Sequence, residues 1–167
     1  MAMTYKAPSS MNNESFGIEV MNSAEFIVDE QAKDDFWRLL SELLEEEKVY
    51  HSSTRISVNG VYSRESALSI ADKWDKIFFV LDKDNKRIGC AETEWDHKFG
   101  TYHIGCVVMT KLYRGRGLGQ FLMNTLMNEY PGQEFMLNVS KGNPNGVKFY
   151  ESLGFHITDF RMAKTNN

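Results

Sequence analysis

The sequence is poor in cysteine, in long apolar runs and in excess positive charge, and each shortage excludes a class of protein. Its 167 residues include two cysteines, Cys90 and Cys106, which supply no disulfide framework, so we expect buried reduced thiols and a cytoplasmic location. No run of about 18 apolar residues is present, which predicts no membrane span. The formal net charge of −4 lacks the basic excess typical of nucleic-acid-binding proteins, so no nucleic-acid partner is expected.

The remaining composition is that of a globular domain. Hydrophobic residues make up 42% of the chain and charged residues 25%, with no internal repeat or low-complexity segment. Residues 1–15 are polar, lack the apolar core of a signal peptide and are predicted to form a flexible arm. Residues 16–167 are predicted to form a single domain. No CxxC or histidine-rich spacing occurs, so no metal site is expected.

Hydrophobic periodicity predicts an α/β domain. The pattern predicts, in chain order, a strand at 16–22, helices at 29–50 and 63–74, strands at 77–81, 88–95 and 101–110, a helix at 118–129, a strand at 134–139, a helix at 144–153 and a strand at 155–162. Turn residues at 82–86 make the strands around them an antiparallel hairpin. This order of elements predicts a mixed sheet with helices against it.

The segment RGRGLG, residues 114–119, brings two arginines and three glycines to the start of a predicted helix. Helix N-termini expose unpaired N–H groups and a partial positive charge. Gly115, Gly117 and Gly119 lack the side chains that would keep an anion away from those N–H groups, and Arg114 and Arg116 add positive charge at the rim. The segment is therefore suited to bind a pyrophosphate through its backbone.

Two other glycine-rich phosphate motifs are excluded by the spacing. A Walker loop requires Gly-Lys-Ser/Thr, which does not occur here. A Rossmann fingerprint requires GxGxxG after a parallel strand, whereas this segment reads GxGxG and the strands upstream are antiparallel. A structural turn that binds no ligand remains the alternative interpretation.

Two segments together resemble the signatures of the GNAT acetyltransferase superfamily. RGRGLG resembles its Arg/Gln-x-x-Gly-x-Gly/Ala signature, and NPNGVKFYESLGF, residues 143–155, resembles Asn-x-x-Ala-x-x-hydrophobic-Tyr-x-x-x-Gly-Phe, with Gly146 in place of the usual alanine. The resemblance covers about residues 77–162. It implies the GNAT fold, in which a mixed, mostly antiparallel central sheet is flanked by helices. Two splayed strands, here 101–110 and 134–139, would then form the acetyl-CoA cleft.

The resemblance also implies which residues bind acetyl-CoA. The pantetheine arm would pair with the backbone of the strand, the pyrophosphate would lie on the N–H groups of the glycine segment, and the arm would also receive a hydrogen bond from the next helix. The residues implied are Val107, Val108, Met109, Arg114, Gly115, Arg116, Gly117, Leu118, Gly119, Asn143 and Tyr150. A backbone N–H near Val107 or Val108 is implied to stabilise the developing oxyanion.

Tyr150 corresponds to the tyrosine that such enzymes place near the cofactor sulfur. A phenol with a pKa of about 10 is a suitable proton donor for a basic leaving thiolate. The alternative interpretation is that Tyr150 is a core aromatic residue of the 144–153 helix.

The acceptor amine must lose a proton before it attacks, which for a lysine-like amine costs about 4.6 kcal/mol at neutral pH. His103 lies near the offset at which some family members carry a glutamate base, and imidazole titrates in a suitable range. Glu92 and Glu94, two apart on the preceding strand and thus on one face, are rival bases, and a bound water is a further one. His103 could instead be a structural strand residue.

The resemblance thus implies an N-acetyltransferase that moves an acetyl group from acetyl-CoA directly to a primary amine in a ternary complex. The acceptor could be a small molecule, a polyamine or a peptide amine, and the acidic run Glu45–Glu47 could attract it or be a solvated helix face. The alternatives are a catalytically silent GNAT-like module that binds coenzyme A as a sensor or interaction domain, and an enzyme with a longer acyl donor. Formation of a homodimer is a further possibility that the sequence does not decide.

The glycine segment generates the first prediction. Gly117→Glu places bulk and negative charge where the pyrophosphate is expected, so titration calorimetry should show no binding of coenzyme A. An unchanged affinity would contradict a phosphate site in this segment.

Overall fold

One seven-stranded sheet organises the molecule, as seen in a computed structural model that describes residues 3–6, 15–50 and 63–159. The strands are β1 (Met3–Lys6), β2 (Gly17–Asn22), β3 (Trp74–Leu81), β4 (Arg87–Asp96), β5 (Thr101–Ile104), β6 (Val108–Met109) and β7 (Phe135–Leu137). They lie in the order β1-β2-β3-β4-β5-β7, and β6 also pairs with β4. All of these pairs are antiparallel except β5–β7, which is parallel.

Polar capping residues lie at the start of several helices. The helices are α1 (Ser23–Val28), α2 (Glu30–Tyr50), α3 (Arg64–Leu68), α4 (Leu118–Asn128) and α5 (Pro144–Ser152), with 3-10 turns at Ala71–Lys73 and Lys111–Tyr113. The predicted caps are confirmed, since the side chains of Ser63 and Asn143 accept hydrogen bonds from the first turns of α3 and α5. The short helix α1 was not predicted. None of the described helices is long and apolar enough to cross a membrane.

The sheet is covered on both faces, which explains why the centre of β3 is apolar at every position. Alternation along the strand places Phe78 and Val80 in one core with Leu122 of α4. Ile77 and Phe79 face the other side and join the core formed with α1, α2 and α3. The predicted fold class, a mostly antiparallel mixed sheet flanked by helices, is therefore confirmed.

The strand predicted over 101–110 is interrupted at its centre, so that part of the prediction is wrong. Between the ladder pairs Ile104–Thr93 and Val108–Cys90, three residues of this strand oppose two of β4. An extra residue of this kind is a β-bulge, which bends the strand and redirects the side chains and N–H groups beside it.

The sheet opens directly after the bulge. Strands β5 and β7 pair in parallel only as far as Ile104 and Leu137. Beyond that point, within the described part of the chain, β6 pairs with β4 and not with residues 138–140. The gap lies between the two segments predicted to splay.

The structure differs from the sequence predictions at both ends. Residues 3–6 were predicted to belong to a flexible arm, but they form β1 on the open edge of β2, and residues 7–14 lie outside the described residues. At the other end, residues 155–159 are not a strand, and residues 160–162 lie outside the described residues. The single domain predicted over 16–167 stays a prediction.

Candidate active site

A cavity of about 590 Å³ lies where the opened sheet meets α2 and α3. Five residues singled out from the sequence line it together: Glu92, His103, Val107, Asn143 and Tyr150. A second cleft of about 630 Å³, beside Glu19 and Arg87, contains none of the predicted site residues. The fold therefore brings the candidate base, the candidate acid and part of the predicted cofactor strand to one place.

The carboxylate of Glu92 is held by the β-bulge. Glu92 lies on β4, and its side chain is 8% exposed. The N–H of Cys106 donates to its Oε1 at 2.8 Å instead of joining the ladder. Gly105 supplies the room, because a Cβ atom there would overlap Oε1 and lie 2.5 Å from Cδ of Glu92. The bulge thus both makes space for this carboxylate and fixes one of its oxygens.

The second oxygen of Glu92 is buried and has no hydrogen-bond partner among the described residues. Burial disfavours the charged form, so it raises the pKa of Glu92 to about 7, and the negative charge of Glu94 adds to the rise. A carboxylate that titrates near neutral pH, with one oxygen available in a cavity, is suited to act as a general base.

His103 lies in the same cavity, but its ring nitrogen is already engaged. The amide nitrogen of Asn138 lies 3.1 Å from Nε2 of His103, and an amide nitrogen can only donate, so Nε2 accepts this hydrogen bond. Glu94 faces His103 across the β4–β5 ladder and is not part of the cavity lining. Of the three side chains predicted as rival bases, Glu92 has the geometry best suited to the role.

Tyr150 projects from α5 into the cavity, where its ring contacts Phe149 and Phe155. Its hydroxyl makes no hydrogen bond within the described part of the chain. Burial raises the pKa of Tyr150 above its ordinary value, with smaller contributions from Cys106 and Glu47. The phenol therefore keeps its proton at neutral pH and can donate it.

Cys106 also lines the cavity, and its thiol stays protonated. A hydrogen bond with Cys90 and burial raise the pKa of Cys106 well above its ordinary value. Because the thiolate is the nucleophile, this environment makes Cys106 a poor acyl carrier.

The predicted phosphate segment presents unpaired backbone donors. Gly117 is the N-cap of α4 in the left-handed region, with φ of 80°, and no side chain caps the helix. The N–H groups of Gly115, Gly117, Leu118 and Gly119 reach no acceptor in the parts of the chain that the structure describes. Open space surrounds Gly115, where a Cβ atom would meet nothing within 4 Å. The segment fits an anion, as the sequence predicts.

The two arginines of this segment have partners within the protein. Both terminal nitrogens of Arg114 bind the carboxylate of Glu46 on α2 at 2.8 Å, and its Nε donates to the carbonyl of Met109 at 2.7 Å. The N–H of Arg114 donates to the carbonyl of Lys111. Arg116 stacks over the ring of Tyr113. The direct phosphate contact predicted for Arg114 stays a prediction, and its side chain connects α2 to the phosphate segment.

Two glycines of the signatures have packing roles. A Cβ atom at Gly119 would lie 3.3 Å from the ring of Phe149, so this glycine lets α4 approach α5 closely. A Cβ atom at Gly146 would lie 2.7 Å from the amide nitrogen of Asn143, whose oxygen caps α5. The departure from the usual alanine therefore makes room for the Asn143 side chain that lines the cavity.

Sequence analysis missed two residues of this site. Gly105 was not singled out, although an isolated glycine inside a strand pattern indicates a bulge. Glu46 was noticed only as part of an acidic run, and its pairing with Arg114, which lowers the pKa of Glu46, depends on contacts between distant parts of the chain.

Comparison with known proteins agrees with this geometry. The sequence profile of the Acetyltransferase (GNAT) family matches residues 37–155. The peptidyl-lysine N-acetyltransferase YiaC of Escherichia coli (strain K12) is 30% identical over 96 residues, which are 58% of this chain and 58% of that protein. The match thus spans less than two thirds of the relative's length.

Two solved structures share the fold. One is the aminoglycoside acetyltransferase meta-AAC0020 from an uncultured soil metagenomic sample, in complex with sisomicin, with a TM-score of 0.61, 13% identity and coverage of 91% of this chain and 97% of that chain. The other is the aminoglycoside N-acetyltransferase AAC(6')-Iy in complex with CoA, with a TM-score of 0.62, 15% identity and coverage of 92% and 95%. At these identities the likeness shows the fold alone.

The fit of Glu92 against Gly105 can be tested by a double-mutant cycle. Gly105→Ala should lower the free energy of unfolding by about 1–3 kcal/mol through overpacking. In a Glu92→Ala background the same change should cost less, with a coupling energy of about 1–2 kcal/mol. Urea unfolding at neutral pH measures all four proteins. An equal cost in both backgrounds would show that Gly105 does not make room for Glu92.

Proposed function

We propose that the chain, which belongs to the Acetyltransferase (GNAT) family, is an acyltransferase that transfers an acetyl group from acetyl-CoA directly to a primary amine. The observation that carries the proposal is the buried Glu92 carboxylate, which lies in the cavity with one oxygen unpaired. A family that uses acetyl-CoA needs a base for its amine acceptor, and this group has the position and the pKa for that role.

The residues present fit acetyl-CoA. The unpaired N–H groups of Gly115, Gly117, Leu118 and Gly119 would hold its pyrophosphate, and the gap between β6 and residues 138–140 would take the pantetheine arm. Asn143, at the mouth of this gap, has its amide oxygen engaged in the helix cap and its amide nitrogen left to donate. Bound there, acetyl-CoA supplies the activated acetyl thioester.

Glu92 accepts the proton that the acceptor ammonium must lose. Transfer from an ammonium with a pKa of about 10.4 to an ordinary carboxylate would be uphill by about 8 kcal/mol. With the pKa of Glu92 raised to about 7, the same transfer is uphill by only about 5 kcal/mol. Burial thus makes this carboxylate a stronger base, at the same place where the amine must enter.

The bulge also leaves a backbone donor for the thioester carbonyl. The N–H of Val107 reaches no acceptor among the described residues, whereas Val108 pairs with Cys90 in the ladder. Val107 lines the cavity. Its N–H is therefore our choice between the two backbone groups that could stabilise negative charge on the carbonyl oxygen.

Tyr150 donates its hydroxyl proton to the sulfur of the leaving thiolate. The phenol is protonated at neutral pH, and burial, which raises its pKa, makes it a weaker acid than a phenol in water. Cys106 holds its own proton tightly, which argues against a covalent acyl-cysteine route and for direct transfer.

A thiol-release assay with acetyl-CoA and a panel of primary amines tests the function, and Glu92→Gln tests its base. Wild-type kcat/KM should rise with pH and inflect near 7, as the Glu92 carboxyl loses its proton. Glu92→Gln should lower kcat/KM about a hundredfold at neutral pH and remove that inflection. Binding of coenzyme A with no product from any amine would instead indicate a silent binding module.

Two variants and a stability measurement control this test. Glu94→Gln should keep the inflection and move it to lower pH, because the charge of Glu94 helps to raise the pKa of Glu92. Folding raises the pKa of Glu92 from 4.5 to about 7, so the free energy of unfolding falls as pH rises through this range. Glu92→Gln should therefore have a higher Tm than wild type at pH 8, but not at pH 5. If the inflection disappears in His103→Ala and persists in Glu92→Gln, His103 is the base and Glu92 is not.

Tyr150→Phe isolates the proton donor. It removes the hydroxyl and keeps the ring between Phe149 and Phe155, so kcat should fall about 10- to 100-fold while the Kd of coenzyme A changes less than about twofold. Steady-state kinetics and calorimetry measure the two effects. Tyr5→Phe, which loses a hydroxyl bound to Glu129 away from the cavity, should leave kcat unchanged. An unchanged rate in Tyr150→Phe would make Tyr150 a core aromatic only.

A further inference from the structure

The wall of the cavity formed by α2 and α3 is apolar. Phe36 and Leu40 of α2 lie in the core, and the same helix face continues with Leu43 and Leu44, which are half-buried and line the cavity. From α3 and the turn after it, Ala67 and Ile70 complete the wall, and Trp74 lies behind them. A ligand that enters here meets aliphatic and aromatic carbon.

This wall offers few polar groups. Ser66 is its hydroxyl residue, and that hydroxyl is already used in the cap of α3, where it accepts from the N–H of Ser63 and donates to the carbonyl of Ser63. The other hydroxyl, amide and imidazole side chains of the described lining lie away from α2 and α3: His103 on β5, Asn138, Ser140 and Asn143 between β7 and α5, and Tyr150 on α5. A hydroxyl placed against the α2–α3 wall would therefore lose its water without gaining a partner there, whereas an ammonium near the end of α2 could pair with Glu47.

The charge of the cavity favours cationic ligands. Among the described lining residues the acidic side chains are Glu47 and Glu92, and no lysine or arginine is present. Glu92 is nine-tenths buried at the sheet, and its second oxygen is unpaired. Glu47 lies near the end of α2, so the two carboxylates can attract a cationic head group while the wall between helices α2 and α3 receives uncharged carbon.

We propose that the acceptor is a small primary amine on an apolar carbon skeleton. The ammonium would lie against Glu92, with Glu47 adding attraction, and the skeleton would lie along the wall of Leu43, Leu44 and Ile70. The inference rests on the acetyl transfer proposed above and names its substrate class. A cavity of about 590 Å³ that also admits the reacting end of acetyl-CoA leaves room for a small skeleton. Polyhydroxylated amines fit this wall poorly.

Matched amines test the substrate class. With saturating acetyl-CoA, thiol release should give kcat/KM values that rise about threefold for each methylene from butylamine to heptylamine, as the chain covers more of the wall. Heptylamine should exceed its isostere 6-aminohexan-1-ol at least tenfold. Kanamycin and a lysine tripeptide complete the panel as polar acceptors.

Variants of two exposed isoleucines locate the effect. Ile70 lines the wall and is 44% exposed, so Ile70→Asn should fold and should lower kcat/KM for heptylamine at least fivefold, with less than a twofold change for 6-aminohexan-1-ol. Ile157 is 61% exposed and lies outside the cavity lining, so Ile157→Asn should change neither value.

The outcomes separate this inference from the function on which it rests. Equal or better turnover of the amino alcohol, kanamycin or the lysine peptide would overturn the apolar-acceptor class and leave acetyl transfer standing. Absence of thiol release with every amine, in protein that still binds coenzyme A by calorimetry, would overturn both. A graded preference for longer alkylamines that Ile70→Asn abolishes would support it.

Discussion

The candidate site depends on the placement of one carboxylate inside the edge of a hydrophobic core. Glu92 lies on a central strand where burial opposes its charge, and the protein supplies one N–H, from Cys106, to one of its two oxygens. Hydrogen bonds to both oxygens of Glu92 would lower its pKa into the acidic range and make the carboxylate a weaker base. The single hydrogen bond from Cys106 holds the Glu92 side chain in place and leaves its pKa near 7.

The extra residue between β5 and β6 serves several needs of acyl transfer at once. It turns the N–H of Cys106 toward Glu92, leaves the N–H of Val107 without a ladder partner, and separates β6 from the segment that follows β7. A regular ladder would have used both N–H groups and closed the gap. A local irregularity of the backbone therefore shapes the base, the carbonyl site and the cofactor gap together.

The sequence revealed the parts of the site that local chemistry determines. The glycine segment, the cap at Asn143 and the helix of Tyr150 follow from short motifs, and the structure has helices at those places. The choice between Glu92 and Glu94 could not be made, because both lie on one face of β4 and only the register against the next strand places Gly105 opposite one of them. Edge strand β1 was missed for the same reason, since its pairing depends on an open edge elsewhere in the chain.

The pairing of Arg114 with Glu46 connects the phosphate segment to α2. One end of this contact is in the phosphate segment, and the other is on the helix that supplies the apolar wall. Through its Nε, Arg114 also holds the carbonyl of Met109, at the edge of the sheet opening. Loss of the Arg114 guanidinium would therefore remove the contacts to α2 and to the edge of the sheet opening in a single step.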